Sequence, residues 1–98
     1  MKIAVRFEIN GDHLFPFPIS VVNLTESEFR ELFKDNLSND EIDEVIKSQP
    51  NESHFIQSFR QGNVSVDIYK LDGNPNIKNF TEVNFREMKY TFGEKMKK

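Results

Sequence analysis

The sequence predicts an α+β domain, an antiparallel sheet of three or four strands with two or three short helices from residues 25–61 packed on one face. Three observations carry this. Residues 2–10 and 64–69 alternate with period two, two capping boxes open helices in the middle of the chain, and both chain ends read as extended. The expected order is β-β-α-α-(α)-β-β within a single domain, because 98 residues suffice for one core and not for two.

The first strand places Ile3, Val5, Phe7 and Ile9 on one face and Lys2, Ala4, Arg6 and Glu8 on the other, the pattern of a half-buried strand. Asn10-Gly11 tolerates the two positive φ angles of a type I′ turn, so the chain is expected to double back there. The return segment His13–Val22 alternates through Phe15, Phe17, Ile19 and Val21. Pro16 and Pro18 cannot donate to a ladder, which makes this segment an edge strand or an extended arm.

Thr25 and Glu28 form a capping box, with Leu24 and Phe29 as its hydrophobic staple. The device recurs at Ser38 and Glu41, stapled by Leu37 and Ile42. Behind each box runs an apolar stripe, Phe29-Leu32-Phe33 and Ile42-Val45-Ile46. Helices are therefore expected over about 26–36 and 39–49, with Pro50 ending the second.

From Asn51 to Gly62, the spacing of Phe55, Ile56 and Phe59 favours a helix over a strand that turns at Gln61-Gly62-Asn63. Val64, Val66 and Ile68 alternate as a strand, broken by Asp72-Gly73-Asn74-Pro75. Phe80–Phe92 reads as a long strand whose phase slips between Phe85 and Met88, as a β-bulge would produce. A helix carrying Phe85, Met88 and Phe92 is the rival. The tail Gly93–Lys98 is expected to fray.

Composition narrows the function classes. A net charge of −3 and a pI near 5.4 argue against a strongly basic nucleic-acid binder. Zero cysteines exclude disulfides, thiolate catalysis and Cys-ligated metal centres. No apolar run approaches the ~20 residues of a membrane span, and the start lacks a signal-peptide core, so a cytoplasmic protein is expected. Abundant Phe, Ile, Asn and Lys against a single Ala point to an AT-rich coding sequence of bacterial or phage origin.

Few residues carry the marks of catalytic or metal chemistry. His13 and His54 lack the spacing of a metal site with Asp12 or Glu52. As acid and base beside Arg6 or Arg60 they would supply a metal-independent nuclease, but nothing in the sequence brings them together. The four glycines build neither a phosphate loop nor a nucleophile elbow. No catalytic residue, cofactor or metal is assigned.

Charge is the remaining signal. Eight acids crowd residues 25–47, and five bases against two acids mark residues 84–98. Glu26, Glu28, Asp40 and Glu41 sit in first helical turns, where the macrodipole rewards them. Glu31, Asp35 and Glu44 lie later and are the candidate partner contacts. Arg86, Lys89, Tyr90 and Lys95 combine cations with a ring and are the candidates for single-strand nucleic-acid binding.

The expected function is that of a non-catalytic protein-binding module, a small acidic inhibitor or immunity-type protein. Its partner would present a basic or nucleic-acid-binding surface, and a homodimer through a sheet edge is a further partnership open to it. A small nucleic-acid-binding protein is the alternative, and a histidine-dependent nuclease comes third.

Overall fold

A computed structural model describes residues 1–9, 19–51, 54–73 and 79–96. Its elements are β1 (Lys2–Ile9), β2 (Ile19–Asn23), α1 (Glu26–Phe33), α2 (Asn39–Lys47), β3 (Gln57–Gln61), β4 (Val64–Leu71), β5 (Phe80–Val83) and α3 (Phe85–Lys95). The strands form one sheet in the order β3-β4-β1-β2-β5. The fold is a small α+β domain, as expected, but with five strands rather than three or four, and the sheet is mixed.

β1 lies at the centre, antiparallel to both β2 and β4. Its alternation sorts as expected: Ile3, Val5 and Phe7 enter the main core, and Ala4 lies in a smaller cluster with Val21 and Leu71. The turn at Asn10-Gly11 and the prolines Pro16 and Pro18 lie outside the described residues. The ladder sets Arg6 opposite Ile19, whereas a two-residue turn at Asn10-Gly11 would have set it opposite Phe15. The described part of the return segment is not an edge strand either, because β5 covers the far side of β2.

Both capping boxes form. Glu28 N–H donates to Thr25 Oγ1 (3.2 Å) and Thr25 N–H to Glu28 Oε1 (2.9 Å); Ser38 and Glu41 repeat the exchange at 3.1 and 2.9 Å. Each box satisfies two backbone donors that a helix start leaves orphaned. Phe29, Leu32 and Phe33 of α1 and Ile42 and Val45 of α2 are buried against the sheet. The far end of α2 is closed by the sheet itself: Lys70 Nζ on β4 donates to the carbonyls of Val45, Ile46 and Ser48 at 3.3, 2.6 and 3.0 Å. An ammonium there satisfies the last carbonyls and complements the negative helix end.

Two segments correct the sequence reading. The favoured helix over 51–62 is strand β3, paired with β4 in a hairpin that sets Gln61 opposite Val64. Gly62 has φ +62° and starts the two-residue turn, as a type II′ hairpin requires. Phe55 is 56% exposed, whereas Ile56 and Phe59 pack against the core, so the three residues that suggested a helix do not form one buried stripe.

The long strand over 80–92 is the short β5 followed by α3, so the rival reading holds and there is no bulge. α3 has its own capping box: Glu87 N–H donates to Asn84 Oδ1 (2.8 Å) and Asn84 N–H to Glu87 Oε1 (3.1 Å). β5 pairs parallel with β2 and so runs in the same direction as β4, an arrangement no hairpin could connect. The tail is not frayed as far as Met96. That residue is 8% exposed within the core, and its carbonyl accepts from Gln61 Nε2 at 3.0 Å.

All three helices contribute to the core on one face of the sheet. Phe33 is the hub of its aromatic part, with ring centroids 4.9 Å from Phe29, 5.4 Å from Phe92 and 6.0 Å from Phe59. Tilted and edge-on contacts at such distances suit the ring quadrupoles. No helix among the described residues is long and apolar enough to cross a membrane.

Candidate functional site

The acid-rich segment 25–47 and the base-rich segment 84–98 meet between α1 and α3. Leu32 and Phe92, both buried in the core, form the floor of a groove of about 250 Å³. Glu31 of α1, Lys34, Asp35 and Asn36 in the turn that follows it, and Lys89 and Gly93 of α3 make its rim. The capping boxes determine which residues arrive there: each starts its helix at a defined residue, and the helical period then sends Glu31 and Lys89 to facing flanks. Gly93 adds no side chain to the rim, and the space where one would stand is open.

Lys89 Nζ donates to Glu31 Oε1 at 2.9 Å. That hydrogen bond, with the charge behind it and a smaller contribution from Lys34, holds the Glu31 carboxyl below the usual carboxylate range. The adjacent residue on α1, Arg30, reaches instead to Asp43 of α2, and its hydrogen bond lowers the Asp43 carboxyl against a partial opposing effect of desolvation. Two neighbouring residues thus tie α1 to both other helices.

Of the three acids singled out, Glu31 is therefore committed to Lys89. Asp35 is exposed on the groove rim. Glu44 is exposed on α2, away from the groove, and neither it nor Asp35 makes an ion pair among the described residues. Of the basic candidates, Arg86 and Tyr90 are exposed one turn apart on α3, and Lys95 is half-buried. Tyr90 is 72% exposed, whereas Phe92 is in the core. Only Tyr90 of these two rings can therefore stack on a base. Sequence reasoning missed the groove because it needs α3; the signal for α3 was Asn84 three residues before Glu87.

His54 is exposed; His13, Asp12 and Glu52, and with them the expected acid-base pair, lie outside the described residues. Among the described residues no group of three or more potential ligands could hold a metal ion. A second depression, of about 260 Å³, lies by Lys2, Val21, Asn23, Glu82 and Val83 at the β5 side of the sheet, and it includes none of the candidates. Compared with known proteins, the chain matches no family model, no curated protein and no solved structure.

Proposed function

We propose that the chain is a protein-binding module without catalysis, an inhibitor or immunity-type protein that docks on a basic surface of its partner through the α1–α3 groove and its acidic surroundings. The observation that carries this reading is the groove's anatomy. An apolar floor of Leu32 and Phe92 within a charged rim resembles the apolar centre and polar rim of protein interfaces, and α3 also exposes a tyrosine and an arginine one turn apart, residue types enriched there. Since Glu31 is paired within the chain, Asp35 and Glu44 carry the free negative charge that would steer association. Lys89 is paired as well, which leaves Arg86 and Tyr90 as the stronger members of the nucleic-acid alternative.

Capture of the partner from the native host, followed by association kinetics at low and moderate salt, tests the proposal. Reversal of Asp35 and Glu44 to Lys is expected to slow association and flatten its salt dependence with stability nearly unchanged. A mobility-shift assay with single- and double-stranded DNA and RNA is expected to show no salt-sensitive complex; such a complex, lost in Arg86→Ala with Tyr90→Ala, would establish the alternative instead.

A further inference from the structure

We propose that β3 pairs antiparallel with β3 of a second copy of this chain, centred on Phe59, joining two five-stranded sheets into one. This does not rest on the docking proposal and concerns the free edge of the sheet, which adjoins the groove through the bond from Asn36 to Gln61. β3 is an edge strand, with β4 as its single neighbour among the described residues. The hairpin register determines which backbone groups it offers. Gln61 and Val64 flank the two-residue turn and form a hydrogen-bonded pair, so Phe59 and Gln57 also turn toward β4. Ser58 and Arg60 then direct their N–H and C=O groups to the free edge.

The strand reads Gln57-Ser58-Phe59-Arg60-Gln61, nearly the same in both directions. A twofold axis at Phe59 sets Gln57 opposite Gln61 of the second copy and Ser58 opposite Arg60 of the second copy. The outward groups of Ser58 and Arg60 then meet, giving four backbone hydrogen bonds, and the two Phe59 residues form the non-hydrogen-bonded pair, where side chains lie closest. Phe59 is half-buried, and its ring already packs against Phe33 and Phe92 at 6.0 and 6.1 Å, so the second ring extends an existing cluster.

Charge selects a second copy as the occupant. On the face away from the helices, Ser58 lies opposite Asp67 of β4, which lies opposite Arg6 of β1. Neighbouring strands stand ~4.8 Å apart, so Arg60 of the second copy lies ~10 Å from Asp67, backbone to backbone, with only the small Ser58 between. An arginine side chain spans that gap. Asp67 makes no ion pair among the described residues; partial burial holds its carboxyl above the usual range, opposed in part by Arg6 and reinforced by Glu8. An incoming guanidinium would complete its neutralisation. The groups that must be released are held by local, exposed bonds, Ser58 N–H to Gln57 Oε1 (3.2 Å) and Arg60 Nε to the Gly62 carbonyl (3.0 Å).

Sedimentation equilibrium from about 10 μM to about 1 mM, with amide exchange followed over the same range, tests the pairing. The parent is expected to form a reversible dimer in which the Arg60 amide gains protection as concentration rises. Ser58→Arg, which sets like charges face to face twice, and Asp67→Asn are each expected to weaken the dimer about three- to tenfold. Adding Arg60→Glu to Ser58→Arg restores opposite charges and should recover most of the loss, which a folding defect would not do. A chain that stays monomeric at about 1 mM overturns the proposal and leaves the edge to an extended peptide of another protein. A dimer whose Arg60 amide exchanges at the same rate throughout, or that ignores all three variants, also overturns it.

Discussion

α2 and α3 begin with the same device and are held at their ends by different means. Ser38 and Glu41 start one, Asn84 and Glu87 the other, each with an apolar residue before the cap, Leu37 or Val83, and another four positions into the helix, Ile42 or Met88. α2 then ends on a cation, with Lys70 gathering three carbonyls. α3 instead ends by inserting Met96 into the core and giving its carbonyl to Gln61. The contrast teaches that a common start leaves the finish to the surroundings: α2 is fixed electrostatically, and α3 by apolar burial. The outer surfaces differ accordingly, charged on α2 and carrying an exposed tyrosine on α3.

The largest test of that contrast falls on the apolar finish. Phe92→Ala, which removes a ring from the cluster around Phe33, is expected to cost about 3–5 kcal/mol by denaturant unfolding, and Met96→Ala about 2–4 kcal/mol. If Met96→Ala unfolds like the parent, the end of α3 is not packed and the comparison fails. Next comes the electrostatic finish: Lys70→Met keeps the aliphatic stem but loses the carbonyl bonds, for an expected loss of about 1–3 kcal/mol. The shared start should give matched effects, with Ser38→Ala, Thr25→Ala and Asn84→Ala each lowering stability by about 0.5–2 kcal/mol. A silent Asn84→Ala beside two destabilising partners would separate α3 from the other helices.

The smallest effect concerns pH. Glu31 and Asp43 have carboxyls held below their ordinary values by Lys89 and Arg30. Their contribution is present above the unfolded-state values and is lost as pH falls through the lowered folded ones. Asp67, held above its ordinary value by burial, acts in reverse: its contribution is present below the unfolded value and is lost as pH rises through the raised folded one. Thermal melts between about pH 2 and pH 6 should therefore show Glu31→Gln losing stability relative to the parent at the upper end and converging with it at the acid end, whereas Asp67→Asn gains at the upper end.

Legibility followed the kind of signal. Thr25-Glu28 and Ser38-Glu41 were readable because a capping box is local chemistry, complete within four residues, and it predicted two helix starts to the residue. Asn84-Glu87 is the same chemistry with asparagine as the cap, and it was overlooked because Phe80, Val83 and Phe85 suggested a strand running on. Alternation misled over 80–92, and helical spacing misled over 51–62. In β3 the residues facing the helices include Gln57 and Gln61, polar groups bonded to Glu41 and to Asn36 and Met96, so its period was hidden behind Phe55 and Ile56. The α+β class and the strands at 2–9 and 64–71 were legible, since strong period-two patterns need no knowledge of partners. The groove was not, because two of its walls are separated by more than fifty residues and one belongs to the helix that was only the rival reading.

The parallel pairing of β2 with β5 has a consequence for how the chain reaches this fold. Ile19 lies beside Phe80, so the ladder joins positions 61 apart and closes a long loop before its contacts give anything back. During synthesis β1, β2, β4 and the first two helices are all available before β5 has been made. In that interval one side of β2 is a bare strand edge, the kind of surface on which partly folded chains associate. Slow closure of this last seam, rather than weak native contacts, would then govern how much of the newly made protein survives to fold.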